Sequence, residues 1–183
     1  MQSMLGRADQ VAITGGIAEG KSTVLRYLRE LGFAVDSSDR FARTAFESDA
    51  VQSSLAAILG GEQPVSPEML RAQIGDPTIR RKVNSLMHPV VWSAIQSSSA
   101  RFVEVPLLIE TCLQAHFDAV WVVTCGEQEQ LRRLTQRLGD ESTAEALIRT
   151  QLTSRAKIPF ADRLIRTNQD ESSVKRCVTL AVQ

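Results

Sequence analysis

The chain has 183 residues, enough to bury one hydrophobic core. Its 21 basic and 21 acidic side chains balance, which argues against broad nucleic-acid binding. Three widely spaced cysteines argue against a disulfide framework and are typical of a reducing compartment, so a cytoplasmic location is expected. No apolar run is long enough to span a membrane, and residues 1–10 lack the apolar segment of a secretory signal, so a short leader is expected there.

The first half of the chain begins with one strand and one helix. Val11–Thr14 is an apolar run that meets glycines directly, and apolar residues then recur at helical spacing over 21–31. Phe33–Val35 is predicted to be a short second strand. Helical patterns follow from about residue 40 to residue 98, interrupted by a glycine pair and by prolines.

The second half alternates strands and helices. The predicted strands are Phe102–Val105, Ala119–Thr124 and Arg163–Ile165, and the predicted helices are Glu127–Leu138, Thr143–Lys157 and 170–182. This alternation is typical of a parallel sheet covered by helices on both faces. We therefore expect a three-layer α/β/α sandwich around a parallel sheet of about five strands.

A phosphate-binding loop is predicted between the first strand and the first helix. Residues 15–22 read Gly-Gly-Ile-Ala-Glu-Gly-Lys-Ser, which matches the pattern of glycine, four residues, Gly-Lys-Ser/Thr. The glycines let successive N–H groups face one point, where they and the helix N-terminus can cradle phosphate oxygens. Lys21 can then reach the β- and γ-phosphates, and Ser22 can offer its hydroxyl to Mg²⁺.

The remainder of the chain favours a kinase among the proteins that carry this loop. Neither the Asp-x-x-Gly nor the Asn-Lys-x-Asp string expected of a GTPase occurs. A small chain with arginine-rich helices near its end suits a nucleotide-type kinase with a lid, using ATP and Mg²⁺. Its partners are expected to be small molecules, with neither nucleic acid nor membrane, and a monomer is expected.

Several motifs together resemble those of the dephospho-coenzyme A kinase family, from about Val11 to about Val182. They are the loop with its flanks Thr14 and Thr23-Val24, Asp39, His88-Pro89, Val105-Pro106-Leu107-Leu108-Ile109-Glu110, Gln130-x-x-Arg133-Leu134-x-x-Arg137, Gln151, Lys157, Ala161-Asp162 and Asn168. The resemblance implies the P-loop nucleoside triphosphate hydrolase fold, with a core at 10–39, 100–137 and 158–183, a helical acceptor-binding region at about 40–99 and a lid at about 138–157. It also implies phosphorylation of the ribose 3′-hydroxyl of dephospho-coenzyme A by ATP, the last step of coenzyme A biosynthesis.

The sequence departs from the family's pattern at several positions: Leu147 replaces an arginine of the lid helix, the segment around Gln73-Ile74-Gly75 is shortened and Asn168 is displaced by about one position. Two further departures concern the site. Ser37 stands where the family has the first aspartate of an Asp-x-Asp segment, and Glu19 stands where a serine is frequent. A carboxylate at position 19 lies beside the expected polyphosphate, so it must point away or weaken ATP binding. These departures keep two alternatives open: a kinase for another nucleoside or nucleotide acceptor, and a nucleotide-binding homologue with weakened catalysis.

Two carboxylates are candidates for catalysis. Asp39 follows the second strand and is expected to orient and deprotonate the acceptor hydroxyl, although a helix N-cap would also suit it. Glu104 ends the third strand, where it could hold a Mg²⁺-bound water or simply face solvent.

Other site residues follow from the loop and from the resemblance. The expected catalytic residues are Lys21, Asp39, Arg137 and Glu104. The expected ATP-binding residues are Gly15, Gly16, Ile17, Ala18, Glu19, Gly20, Lys21, Ser22, Thr23 and Arg133, and Ser22 is the expected Mg²⁺ ligand. The expected acceptor-binding residues are Asp39, His88, Pro106 and Leu107. His88-Pro89 is expected to end one helix and begin another, since the residue before proline avoids helix.

The charged residues of the later helices also have ordinary alternatives. Arg133 and Arg137 lie four residues apart and could form a fork on the transferring phosphoryl group, or an ordinary charged face. Arg132 is expected to be solvated. Lys157 is expected either to close over phosphates or to be solvated as well.

Overall fold

The computed structural model describes residues 9–183, so most of the expected leader lies outside the described residues. The strands are β1 Val11–Thr14, β2 Val35–Ser37, β3 Phe102–Glu104, β4 Ala119–Thr124 and β5 Arg163–Arg166. The helices are α1 Lys21–Glu30, α2 Ser38–Phe46, α3 Asp49–Leu59, α4 Pro67–Gln73, α5 Pro77–Ser97, α6 Glu127–Leu138, α7 Glu141–Ile148, α8 Ser154–Lys157 and α9 Glu171–Ala181. None of the helices within the described part of the chain combines the length and the apolar character needed to cross a bilayer.

The strands form one five-stranded sheet in the order β2-β3-β1-β4-β5. β1 lies at its centre, with Ile13 paired in parallel to Glu104 of β3 and to Trp121 of β4. The sheet is parallel and has helices on both sides, so the predicted three-layer fold is confirmed. Since all strands run the same way, their carboxyl ends lie at one edge of the sheet, where α/β proteins place their ligands.

The chain divides into two compact units. The first comprises the chain up to Asp36 together with Ser99–Gln183, and the second comprises Ser37–Ser98. The division into a core, an acceptor-binding region and a lid stays a prediction.

The first unit has its core between the sheet and helices α1 and α9. Val24 and Leu28 of α1 are fully buried with Val178 of α9, at the spacing that turns one helical face toward the sheet. Phe102 of β3 meets the Trp121 ring edge-on at 5.1 Å between centroids. Burial of each such side chain contributes about 1.5–3 kcal/mol, so this layer fixes α1 and the loop that precedes it.

The second unit is helical and has its own small core. Leu55 of α3 and Val83 of α5 are buried in it. The buried Gln52 side chain accepts from the Val65 N–H at 2.8 Å and donates to the carbonyl oxygens of Val65, at 3.3 Å, and Phe46, at 2.9 Å. This amide fixes the segment between α3 and α4, because buried peptide groups need partners.

Two predicted elements have different bounds in the structure. The second strand is Val35–Ser37 and not Phe33–Val35, since the Phe33 N–H donates to the Leu28 carbonyl oxygen of α1 at 3.0 Å. The Phe33 ring packs edge-on against Phe102, 5.2 Å away between ring centroids. The helix predicted over Thr143–Lys157 is interrupted between α7 and α8. In the interruption the Leu152 N–H donates to the Glu110 carboxylate at 2.9 Å, so tertiary hydrogen bonds replace helical ones.

The prediction that His88-Pro89 separates two helices is wrong. α5 continues through Pro89 from Pro77 to Ser97. Pro89 is exposed and lacks only the N–H that would reach the Ser85 carbonyl. Helical residues that are buried on either side, such as Val83 and Ile95, hold the helix together despite this loss.

Replacing Pro89 with alanine should therefore stabilise the protein. The variant restores the missing N–H in the middle of α5 and should raise the free energy of unfolding by about 1–3 kcal/mol, measured by urea titration. The matched control is Pro77→Ala at the first position of the same helix, where proline is favourable, and it should not stabilise. Equal effects of the two substitutions would contradict this account of α5.

Candidate active site

The phosphate loop joins β1 to α1 at the carboxyl edge of the sheet. Gly15 has φ 149° and Gly20 has φ 90°, which favour glycine. A Cβ on Gly15 would lie 2.3 Å from the Val123 carbonyl oxygen, and one on Gly20 would lie 2.7 Å from Thr167 Oγ1. Both glycines are thus required by their neighbours and by their backbone, and the loop is held against the ends of β4 and β5.

Lys21 lies at the first position of α1, with its ammonium turned back over the loop. Its Nζ donates to the carbonyl oxygens of Gly15, at 3.0 Å, and Gly16, at 2.9 Å. The Glu104 carboxylate is 3.9 Å away at the end of β3. The sequence indicated Lys21 from the loop motif and Glu104 from its place at a strand end, without relating the two. The sheet topology brings them together.

Ser22 follows Lys21 in the first turn of α1 and is exposed. The N-terminus of this helix carries partial positive charge from its unpaired N–H groups. Ser22 and the Lys21–Glu104 pair thus offer a hydroxyl, an ammonium and a carboxylate at one helix end.

Glu19 points into the protein and is only 1% exposed. Its Oε2 accepts from the Gly16 N–H at 2.5 Å and from the Ser154 hydroxyl, and its Oε1 accepts from the Thr124 hydroxyl at 2.9 Å. Its backbone carbonyl accepts from Thr167 Oγ1 at 2.7 Å. Of the two outcomes considered for this carboxylate, the structure has the one in which it points inward.

Two glutamines hold the peptide groups of Ile17. The Ile17 N–H donates to Gln151 Oε1 at 3.1 Å, and its carbonyl oxygen accepts from Gln130 Nε2 at 2.9 Å. Gln130 belongs to α6, and Gln151 lies between α7 and α8. Both glutamines are among the motifs that carry the resemblance, but no sequence signal gave their common partner.

Arg133 is held by three hydrogen bonds within the first unit. It donates to Glu129 at 2.6 Å, to the Thr167 carbonyl oxygen at 2.7 Å and to Thr167 Oγ1 at 3.2 Å. Hydrogen bonds from Arg132 and Arg133 lower the pKa of the Glu129 carboxyl to about 2. Arg132 is solvent-facing as expected, although it also pairs with Glu129 at 2.7 Å.

Arg137 differs from Arg133. It is exposed in the last turn of α6, and within residues 9–183 its guanidinium has no hydrogen-bond or ion-pair partner. The two arginines, which were expected to form one fork or one charged face, therefore have different surroundings. Arg133 fixes the end of β5, and Arg137 is available to a ligand.

The expectation that Lys157 is solvated is wrong. It is fully buried, and its Nζ donates to the Pro106 carbonyl oxygen at 2.9 Å and pairs with Glu110 Oε1 at 3.0 Å. Since a buried ammonium needs such partners, Lys157 holds the turn after β3 in place. Leu107 in this turn is 43% exposed.

Asp39 and His88 belong to the second unit. Ser37 is the N-cap of α2, where its hydroxyl oxygen accepts from the Asp39 N–H at 3.2 Å. The alternative of Asp39 as the N-cap is therefore wrong; its carboxylate lies in the first helical turn and is exposed, as is the His88 imidazole on α5.

Sequence comparison identifies the family. The chain matches the profile of the family described as Dephospho-CoA kinase over residues 10–173. The dephospho-CoA kinase of Geobacillus kaustophilus is 33% identical over 183 residues, covering 91% of each chain. That of Carboxydothermus hydrogenoformans is 32% identical over 190 residues, covering 94% of this chain and 92% of the relative. The chain belongs to the dephospho-CoA kinase family.

Solved structures agree with this family in their fold. TT1252 from Thermus thermophilus superposes with a TM-score of 0.80 at 23% identity over 97% of both chains. The dephospho-CoA kinase of Campylobacter jejuni gives 0.65 at 19% identity over 96% of both chains. The resemblance found in the sequence is confirmed: this member of the dephospho-CoA kinase family is a kinase that phosphorylates dephospho-CoA in coenzyme A biosynthesis.

Removal of the Lys21 ammonium should abolish most phosphoryl transfer. Lys21→Ala should lower turnover by at least about a hundredfold, because a positive group aimed at developing charge is lost, while the thermal midpoint changes little. Coupled detection of ADP and thermal unfolding measure the two effects. The control is Lys175→Ala, which breaks a half-exposed surface ion pair with Glu30 and should leave turnover unchanged. Normal turnover in Lys21→Ala would refute the assignment of the loop.

Proposed function

We propose that the protein transfers the γ-phosphate of ATP to the ribose 3′-hydroxyl of dephospho-CoA, using residues of the phosphate loop, Glu104, Asp39 and Arg137. The observation that supports this most is the position of the Lys21 ammonium, between two loop carbonyls and Glu104 at the N-terminus of α1. An ammonium placed beside two loop carbonyls and a carboxylate at a helix N-terminus suits the binding of a polyphosphate.

In this proposal ATP replaces the partners that Lys21 now has. Phosphate oxygens carry more charge than the carbonyl oxygens of Gly15 and Gly16, so the ammonium should exchange one set for the other when ATP binds. The N–H groups of the loop and of the first turn of α1 hold the remaining phosphate oxygens.

Mg²⁺ would be held at the same helix end. Ser22 would offer its hydroxyl as a ligand, and the Glu104 carboxylate would hold a Mg²⁺-bound water, since Mg²⁺ prefers oxygen ligands and keeps several waters beside the phosphates. The bound ion would neutralise charge on the phosphates as the γ-phosphoryl group leaves.

Asp39 is proposed as the general base that takes the proton from the acceptor hydroxyl. Its carboxylate is exposed in the first turn of α2, and Ser37 occupies the N-cap position of this helix, so the Asp39 side chain is not the cap. His88, Pro106 and Leu107 are proposed to contact the acceptor. The exposed Leu107 side chain is apolar, which suits contact with the uncharged parts of a coenzyme A precursor.

Arg137 is proposed to stabilise charge on the transferred phosphoryl group. Its exposed guanidinium at the end of α6 is unpaired within the described chain, whereas Arg133 is held by Glu129 and Thr167. Arg133 then contributes to ATP binding by fixing the loop edge. A monomer and a cytoplasmic location complete the proposal and rest on the sequence alone.

One experiment tests the acceptor. ADP release from ATP and Mg²⁺ would be followed with dephospho-CoA, with AMP and with adenosine as separate acceptors, and the product analysed for a 3′-phosphate. Transfer to dephospho-CoA with a much higher kcat/KM than to the others is expected. Preference for another nucleotide, or ATP binding without transfer to any acceptor, would overturn the proposal.

Substitution of Asp39 tests whether its carboxylate acts as a general base or has only a structural role. Asp39→Asn keeps the size of the side chain but cannot take a proton, so turnover should fall by at least about a hundredfold with little change in ATP binding or thermal midpoint. Asp49→Asn is the matched control, since Asp49 is an exposed aspartate in the first turn of α3. Near-normal turnover of Asp39→Asn would place the base elsewhere, with Glu104 as the next carboxylate to test.

Substitution of Arg137 tests whether its role requires only a positive charge or also the planar guanidinium group. Arg137→Lys keeps the charge and loses the two parallel donors, so turnover should fall by about tenfold while the KM for ATP changes much less. Steady-state kinetics give both values. Arg176→Lys changes an exposed arginine of α9 and serves as the control. Unchanged turnover of Arg137→Lys would show that Arg137 is merely a surface charge.

A further inference from the structure

Glu19 is the residue of the phosphate loop that sequence reasoning could not place. It is an acidic residue, yet it is 1% exposed and lies within a loop assigned to bind a polyanion. Burial of a carboxylate is unfavourable unless hydrogen bonds compensate, and a negative group near phosphates would weaken their binding. Its position therefore requires a reason.

Three donors from three segments satisfy the Glu19 carboxylate. Gly16 supplies a backbone N–H from the loop itself, Thr124 a hydroxyl from the end of β4, and Ser154 a hydroxyl from the start of α8. Thr124 and Ser154 are each 5% exposed, so this set is closed to solvent. The three donors thus provide hydrogen bonds to both oxygens of the buried side chain, as a buried polar group requires.

The carboxylate consequently joins the loop to the start of α8. Glu19 binds Ser154, and two residues before it in the loop the Ile17 N–H binds Gln151. The segment 151–154 thus contacts the loop at two points, both through side-chain hydrogen bonds. No comparable tie would form with a serine at position 19, because its side chain is too short to reach three donors.

We propose that Glu19 is a positioning residue for ATP binding, which sets the shape of the phosphate loop by joining Gly16, Thr124 and Ser154. It touches no substrate, since both carboxylate oxygens are occupied and buried. It acts through the loop, whose N–H groups must face one point to hold phosphates. This inference rests on the ATP site proposed above and concerns no residue of the acceptor site.

The test measures ATP binding without an acceptor, so that it does not depend on the proposed base or on Arg137. Calorimetric titration with ATP and Mg²⁺ would compare the wild type with Glu19→Ala, which leaves three buried donors without an acceptor. The Kd for ATP should rise by about tenfold or more, and the KM for ATP with it. Glu127→Ala, at an exposed glutamate of α6, should change neither.

Two further variants, Glu19→Gln and Ser154→Ala, test whether Glu19 positions the loop for ATP or only stabilises the fold. Glu19→Gln keeps an oxygen for Gly16 and Ser154, while the Thr124 hydroxyl can turn to accept from the amide, so the Kd should stay within about threefold of the wild type. Ser154→Ala should weaken ATP binding in the same direction as Glu19→Ala, and the double variant should bind no more weakly than Glu19→Ala alone. Ser53→Ala, at an exposed serine of α3, is the control for the serine substitution.

The outcomes distinguish this inference from the proposed function. A Glu19→Ala protein with a lowered thermal midpoint but the wild-type Kd for ATP would overturn the inference, since Glu19 would then serve stability alone. If Glu19→Ala does not fold, an unchanged Kd in Ser154→Ala would overturn it instead. A wild type that binds ATP but phosphorylates no acceptor would refute the proposed reaction and leave the inference intact, whereas a wild type that binds no ATP would refute both.

Discussion

A phosphate loop must present several peptide N–H groups to one point, and contacts among its own eight residues, such as those of Glu19 and Lys21 with Gly16, account for only part of that shape. Here the shape depends on hydrogen bonds from side chains far away in the sequence. Gln130 and Gln151 hold the Ile17 peptide, and Thr167 holds the Glu19 carbonyl. Each of these residues depends in turn on the parallel sheet, because the sheet brings the ends of β4 and β5 beside the end of β1. The packing of the sheet is therefore a condition for the geometry of the site.

Two carboxylates near the loop lie in different surroundings. Glu104 ends β3 beside the Lys21 ammonium, where it remains partly exposed. Glu19 is enclosed by neutral donors and can meet no ligand. Neither the residue type nor the proximity to the loop distinguishes Glu104 from Glu19. What distinguishes them is burial, since Glu19 is 1% exposed and the Glu104 side chain is 19% exposed.

The fold could be predicted from the sequence to a large extent, and the reasons are local. β1, β4 and α6 have strong apolar patterns bounded by glycine or polar residues, and their predicted bounds agree with the structure. The interruption before α8 and the continuity of α5 could not be predicted, because tertiary contacts overrode the local preferences of Leu152 and Pro89. For the site, the loop motif gave Lys21 and Ser22 directly. The partners of Glu19 could not be found, since hydrogen bonds to residues more than a hundred positions away leave no local pattern.

Cys125 lies directly behind the loop, with its sulfur 3.9 Å from the Ala18 carbonyl oxygen. It is 2% exposed, and burial raises the pKa of its thiol to about 11. Thiol-directed electrophiles react with the thiolate form of cysteine. Because the pKa of Cys125 is raised, little of its thiolate is present at neutral pH. They will therefore label the exposed Cys112 and Cys177 first. A covalent inhibitor designed to capture the thiol beside the phosphate loop would therefore meet a buried side chain that is mostly protonated at neutral pH.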